Sequence, residues 1–186
     1  MNITIISGSP RKHSLTARAA KFLQHYMQEK YPMHNYETVY ISEHPLPFVE
    51  KVWSSINEVP EEHKALAEKI FATDAFILVS PEYNGSYSPA MKNLLDHFPK
   101  QGHKAFGIVT ASPGAMGGIR AAQQMQNLVA ALFGVASPYM LIVPAVDKKF
   151  DAEGNLTEPA FINSIHTFTA ELMWIAGRIA PVAIPV

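Results

Sequence analysis

Short apolar runs alternate along the chain with longer stretches in which apolar residues recur every three or four positions. Ile3 to Ile6 reads as a buried strand. Leu15, Ala19, Phe22, Leu23 and Tyr26 then fall at helical spacing, and Pro32 closes that helix. Tyr36 to Ile41 reads as a second strand. Residues 42–60 form an irregular segment containing Pro45, Pro47 and Pro60. Pro60-Glu61-Glu62 opens the next helix, with proline and acids in the first turn where they fit best, and Leu66 and Ile70 face its core.

Ala75 to Val79 is continuously apolar, as expected of a strand covered on both faces. A loop and a helix to about Phe98 follow, and Ala105 to Val109 is the fourth strand. Gly117-Gly118 leads into a helix with Ala122, Met125, Val129 and Leu132 on one side. Tyr139 to Val143 is the fifth strand, and Asp147 to Asn155 a polar loop. Phe161, Ile165, Phe168, Leu172, Ile175 and Ile179 step by four and three along the last helix.

Strands alternating with helices predict an α/β domain, a doubly wound parallel sheet with helices on both faces, and no internal boundary divides residues 1–186. Such sheets bind ligands beyond the carboxyl ends of their strands, at a topological switch point. Three loops are therefore of interest: 7–16, 80–88 and 110–118.

Composition narrows the function classes. The 186 residues carry 15 Lys+Arg against 16 Asp+Glu, a net charge of −1, which gives no basic excess for nucleic acid. Cysteine is absent, so there is no disulfide framework, thiolate nucleophile or cysteine zinc site. No apolar stretch approaches the ~20 residues that span a bilayer, and nothing at the N-terminus reads as a signal peptide. A soluble cytoplasmic protein, with no nucleic-acid or membrane partner, is expected. The eight histidines show no metal-binding spacing, and no metal ligand is assigned.

The first loop, "SGSPRKHSLT", ends where a helix begins. A helix N-terminus has unpaired N–H groups and a partial positive charge, so it favours an anion. Ser9, Ser14 and Thr16 offer hydroxyls, Arg11 a guanidinium fork, and Leu15 a backbone N–H. A phosphate monoester suits this set; equally, Ser14 alone could be a helix cap and Arg11 a solvated cation. The Walker and dinucleotide glycine motifs are absent, as is the nucleophile elbow. In the second loop, "SPEYNGSYSPAMKNLLDHF", Pro81 stops the strand and Asn84-Gly85 signals a turn. Tyr83 there is placed to cover a flat heterocycle. In the third, "TASPGAMGGIR", Ser112, Gly114, Gly117 and Gly118 form a small-residue wall that a ligand can approach.

Together these segments resemble the NADPH-dependent FMN reductase family, the flavodoxin-like reductases of azo compounds, quinones and chromate. "GSPRKHSLTARAA" is similar to its phosphate loop, roughly G-S-x-R-x-x-S-x-N-R, with Thr16 where Asn is common. "PEYNGSYSPAMKNLLD" is similar to P-E-Y-N-x-S-x-P-x-x-K-N-x-x-D at nearly every fixed position, with one extra residue between Ser86 and Pro89, and "ASPGAMGGIRA" resembles A-S-x-G-x-x-G-G-x-R. The resemblance implies a flavodoxin-like sheet of strand order 2-1-3-4-5. It implies that Ser9, Arg11, Ser14, Leu15 and Thr16 hold an FMN phosphate. Pro81, Glu82, Tyr83 and Asn84 would line the isoalloxazine, with Gly85 and Ser86 nearby and Ser112 and Gly114 on the third side.

On that reading NADPH or NADH delivers hydride to the flavin, and a small-molecule acceptor then takes two electrons on the same face. No side-chain nucleophile or base is required, so no catalytic residue is assigned. The alternatives are a flavodoxin-type electron carrier without its own NAD(P)H oxidation, and a flavin-free interaction module. The resemblance also implies a homodimer or homotetramer. Met91, Leu94 and Leu95, with Met125, Leu128 and Leu132 on the next helix and Met116 between, suggest a second apolar stripe facing a partner. The apolar tail 179–186 is expected to pack on the body or on a neighbour.

Overall fold

Strands β1 (Asn2–Ser7) and β2 (Asn35–Tyr40) pair in parallel through the whole of their length. They are joined by helix α1 (Leu15–Lys30). The computed structural model describes residues 1–179. After α2 (Lys64–Phe71) the chain enters β3 (Ala75–Ser80), which pairs with the other side of β1. Helix α3 (Pro89–Asp96) leads to β4 (Ala105–Ala111), and α4 (Ile119–Ala131) follows. The last two strands are short, β5 (Val135–Ala136) and β6 (Leu141–Val143), and both pair with β4. A helical turn, α5 (Val146–Lys149), and the long α6 (Ile162–Ile179) complete the described chain. The sheet order is β2-β1-β3-β4-β5, and every strand pair is parallel. This is the flavodoxin-like doubly wound order.

Every residue of β3 and β4 is buried, because both faces are covered. Side chains alternate between two cores. Ile3, Ile5, Ile77 and Val109 pack with α1, α5 and α6. Ile6, Leu78, Ile108 and the stacked rings of Phe76 and Phe106 pack with α2, α3 and α4. Leu66 and Ile70 lie in the second core as their spacing predicts.

Three sequence expectations need correction. The fifth strand does not run from Tyr139 to Val143. It is split, with Val135-Ala136 pairing beside Ala105-Phe106 and Leu141–Val143 beside Val109–Ala111. Ser137-Pro138 lies in the gap; the proline lacks a ladder donor, although Ser137 N–H still donates to Phe106 O at 2.8 Å. Residues 147–155 are not simply a polar loop. Phe150 is 1% exposed, against Phe22 with ring centres 5.3 Å apart. The irregular segment after β2 is anchored to the body. Trp53 is buried between His97, His63 and Phe98, and Asn93 clamps the backbone by donating to Pro47 O and accepting from Val49 N–H.

Finally, Met91, Leu94, Leu95, Met125, Leu128 and Leu132 all lie in the chain's own core. The outer face of α4 carries Gln123, Gln124, Gln126 and Asn127, so the second apolar stripe is not found on these residues. Met116 is exposed. Of the apolar tail, 180–186 lie outside the described residues. Among the described residues no helix is long and apolar enough to cross a membrane.

Candidate functional site

The three loops singled out above meet at the carboxyl ends of β1, β3 and β4, where the strand order places β1 and β3 side by side. They enclose a cleft of about 400 Å³. Its first wall is Ser9, Arg11, Ser14, Leu15 and Thr16, with His13 added; its second is Pro81, Glu82 and Tyr83; its third is Ala111, Ser112 and Pro113. Nine of the positions expected from sequence therefore stand in one cleft: Ser9, Arg11, Ser14, Leu15, Thr16, Pro81, Glu82, Tyr83 and Ser112. Asn84, Gly85, Ser86 and Gly114 are not among its lining residues.

The first wall gathers donor groups that suit an anion. Ser14 is the N-cap of α1 and accepts from Ala17 N–H at 3.4 Å. This leaves Leu15 and Thr16 at the first two helical positions, whose N–H groups have no intrahelical acceptor. Ser9 and Thr16 are buried, and Ser9 accepts from Arg11 N–H at 3.3 Å, which folds the loop back on itself. The Arg11 guanidinium lies 5.1 Å from the centre of the Tyr83 ring, so first and second walls touch across the cleft.

The second wall is held by a two-residue turn. Tyr83 and Ser86 exchange backbone hydrogen bonds, and Asn84 and Gly85 take φ of 52° and 86°. Positive φ at both centres is the turn that Asn-Gly favours. Asn84, Gly85 and Ser86 thus act on the cleft by fixing Tyr83. Glu82 turns away to α4. It accepts from Arg120 N–H at 3.2 Å and Ala121 N–H at 3.4 Å, and pairs with the Arg120 guanidinium at 3.6 Å. A carboxylate at a helix N-terminus is favoured there.

Gly117 has φ of +60°, and a Cβ on it would come within 2.6 Å of Ile142 and 2.8 Å of Pro144 N. With Gly118, at φ +88°, it serves the tight entry into α4. Gly114 is exposed, and its N–H donates to Ser112 Oγ at 3.1 Å.

Two features escaped the sequence reading. Ser88, fully buried, donates to Gly8 O, accepts from Met91 N–H at 3.0 Å, and through its own N–H donates to Ser80 Oγ at 3.0 Å. It ties the first loop to the second. The phosphate-loop pattern also loses its last arginine, because Ala17 stands there; Arg18, one residue on, donates to Phe150 O at 3.0 Å instead. Among the described residues no cluster of His, Asp or Glu is arranged for a metal ion.

The arrangement can hold a phosphate dianion on the first wall and a flat ring against Pro81, Tyr83 and Ser112. Comparison with known proteins shows the family. The family model described as NADPH-dependent FMN reductase matches residues 1–146. An FMN-dependent NADPH-azoreductase of Staphylococcus aureus (strain USA300) is 31% identical over 160 residues, 81% of each chain. An NADPH azoreductase of Bacillus sp. (strain OY1-2) is 28% identical over 162 residues, 86% of this chain and 84% of that one. In fold, a flavoenzyme NAD(P)H:(acceptor) oxidoreductase of Paracoccus denitrificans superposes with a TM-score of 0.73 at 21% identity, over 97% of this chain and 99% of that one.

Proposed function

Because the chain belongs to the NADPH-dependent FMN reductase family, we propose that the three-loop cleft binds FMN and serves electron transfer from NADPH or NADH to a small organic acceptor. The activity class is that of an FMN-dependent NAD(P)H oxidoreductase. The acceptors we infer are azo compounds, as for the two relatives named above, and quinones, free flavins or metal oxyanions. FMN, when bound, supplies the redox chemistry, taking hydride from the nicotinamide and passing two electrons on.

The residues present fit that group. The Leu15 and Thr16 N–H groups, the Ser9, Ser14 and Thr16 hydroxyls and Arg11 form a donor set of phosphate type on one wall. Pro81 and Tyr83 would flank the ring, Ser112 would close the third side, and the Asn84-Gly85 turn with Ser86 would keep Tyr83 in place. Gly114 would contribute only through its bond to Ser112. Glu82 is engaged by the N-terminus of α4, so it holds the loop rather than moving a proton. No residue of 42–60 lines this cleft, and on this reading nicotinamide and acceptor would use one ring face in turn.

The single observation that carries this reading is the meeting of those nine residues in one cleft. An acceptor panel run with both nicotinamides on the FMN-loaded protein tests it. Consumption of NADPH or NADH coupled to an azo compound or quinone supports it. Consumption only when a separate reductase is added would make the protein a carrier. We also propose a homodimer or homotetramer, with exposed Met116 and Phe133, which flank α4, as candidate contacts. Sedimentation of an active species at the 20.5 kDa monomer mass would refute that.

A further inference from the structure

A second cavity, of about 420 Å³, adjoins the cleft on the other side of the first loop. It shares Ser9, Arg11, His13 and Ser14 with the cleft, then runs toward β2, where Tyr40, Ser42 and Glu43 form its far wall. Its remaining wall is basic: Lys12 from the loop, with Arg18 and Lys21 from α1. Ser14, Arg18 and Lys21 are four and three residues apart and so share one face of the helix. Residues 11–21, "RKHSLTARAAK", contain no acid, although the whole chain has a net charge of −1.

The cations are not balanced locally. Glu43 is the only carboxylate on the wall. Among the described residues neither Lys12 nor Lys21 forms an ion pair. Arg18 is committed to the Phe150 carbonyl, which holds its charge at the rim. Unpaired cations around a concavity concentrate an anionic ligand there. Tyr83 does not line this cavity, and its unpaired lysines give it the chemistry of a phosphate seat.

Resting on the FMN reading of the cleft, we propose that this basin takes the 2′-phosphate of NADPH, with Lys12 and Lys21 as the residues that discriminate NADPH from NADH. A nicotinamide over the cleft leaves the adenosine end of the dinucleotide to seek a neighbouring surface. The basin shares a wall with the cleft and supplies charge for the 2′-phosphate that NADPH carries and NADH lacks, beyond the diphosphate common to both. The same phosphate chemistry could come from FMN itself, and the experiment separates these sources.

The FMN-loaded protein is titrated calorimetrically with adenosine 2′,5′-bisphosphate and with adenosine 5′-monophosphate. The parent protein should bind the bisphosphate more tightly. Lys12→Ala and Lys21→Ala should each weaken it by up to about fivefold, the scale of one exposed charge pair. The monophosphate should be affected less, and kcat/KM should fall for NADPH but not for NADH. FMN affinity, measured on the apo-protein, should not change in either variant. Equal affinity of the parent for the two adenosine nucleotides would overturn the proposal. So would a loss of FMN affinity in the lysine variants, which would assign the basin to the flavin phosphate. If the protein oxidises neither nicotinamide while the bisphosphate still binds through these lysines, the electron-transfer reading fails and the anion seat stands.

Discussion

Replacing Ser88 with alanine is expected to loosen two loops at once. The hydroxyl is fully buried, donates to the Gly8 carbonyl and caps α3 by accepting from Met91 N–H. Without it the buried Gly8 carbonyl loses its partner, a cost of about 1–3 kcal/mol. The lost N-cap adds ~0.5–2 kcal/mol. The two effects share one side chain, so about 2–4 kcal/mol together is the reasonable expectation. At roughly 2–4 °C per kcal/mol for a domain of this size, the melting temperature should fall by roughly 5–15 °C. FMN affinity should fall as well, because Gly8 leads directly into the anion seat and Ser88 fixes it against the Tyr83 loop. Thermal and urea unfolding of the apo-protein, followed by FMN titration at a temperature where the variant is folded, measure both effects. Ser86→Ala, at a hydroxyl that makes no hydrogen bond among the described residues, is the control and should stay within ~0.5 kcal/mol of the parent. A Ser88→Ala protein as stable as that control, with unchanged FMN affinity, would refute the reasoning.

Arg11→Ala should raise the dissociation constant for FMN by roughly 10- to 150-fold, the equivalent of a charge-assisted hydrogen bond of ~1.5–3 kcal/mol, and fluorescence titration reads it. Double-reciprocal plots with NADPH and a quinone should give parallel lines if, as proposed, both substrates use one ring face in turn; intersecting lines would rule that out. Burial, with Tyr31 nearby, pushes the Tyr36 phenol up from 10.0 to about 12. The folded protein then holds that proton more tightly than the unfolded chain does. The resulting stability is complete below pH ~10 and is lost as the pH rises toward the folded value. Tyr36→Phe should flatten that alkaline decline in urea midpoints, and an unchanged slope would argue against it.

How far the structure could be read from sequence varied with the range of the interactions. Strands β1, β3 and β4 were legible because parallel strands covered on both faces read as largely apolar runs, whereas β2, the edge strand, buries only Tyr36 and Val39. The split fifth strand was not: Val135-Ala136 is too short to show a pattern and is a strand only through its pairing with Ala105-Phe106. Phe150 looked like part of a polar loop because its partner Phe22 lies far off in sequence. The cleft's three walls were found through turn residues and their order. What joins them was not visible. The bond from Ser88 to Gly8 spans 80 residues, and locally Ser88 reads only as a helix cap before Pro89. Glu82 likewise appears from sequence as part of a ring-lining motif, and only the fold shows it bound to the N-terminus of α4. The basic basin draws on α1 and on the end of β2, so no single stretch announces it.

The most direct measurement compares FMN with riboflavin, which has the same ring but no phosphate, in titrations of the apo-protein. If the wall of Ser9, Arg11, Ser14, Leu15 and Thr16 grips the phosphate while Pro81, Tyr83 and Ser112 flank the ring, FMN should saturate at one per chain. It should also bind at least tenfold more tightly than riboflavin, an advantage that Arg11→Ala reduces. Equal affinity for the two flavins, or no binding of either, would contradict the assignment of the cleft.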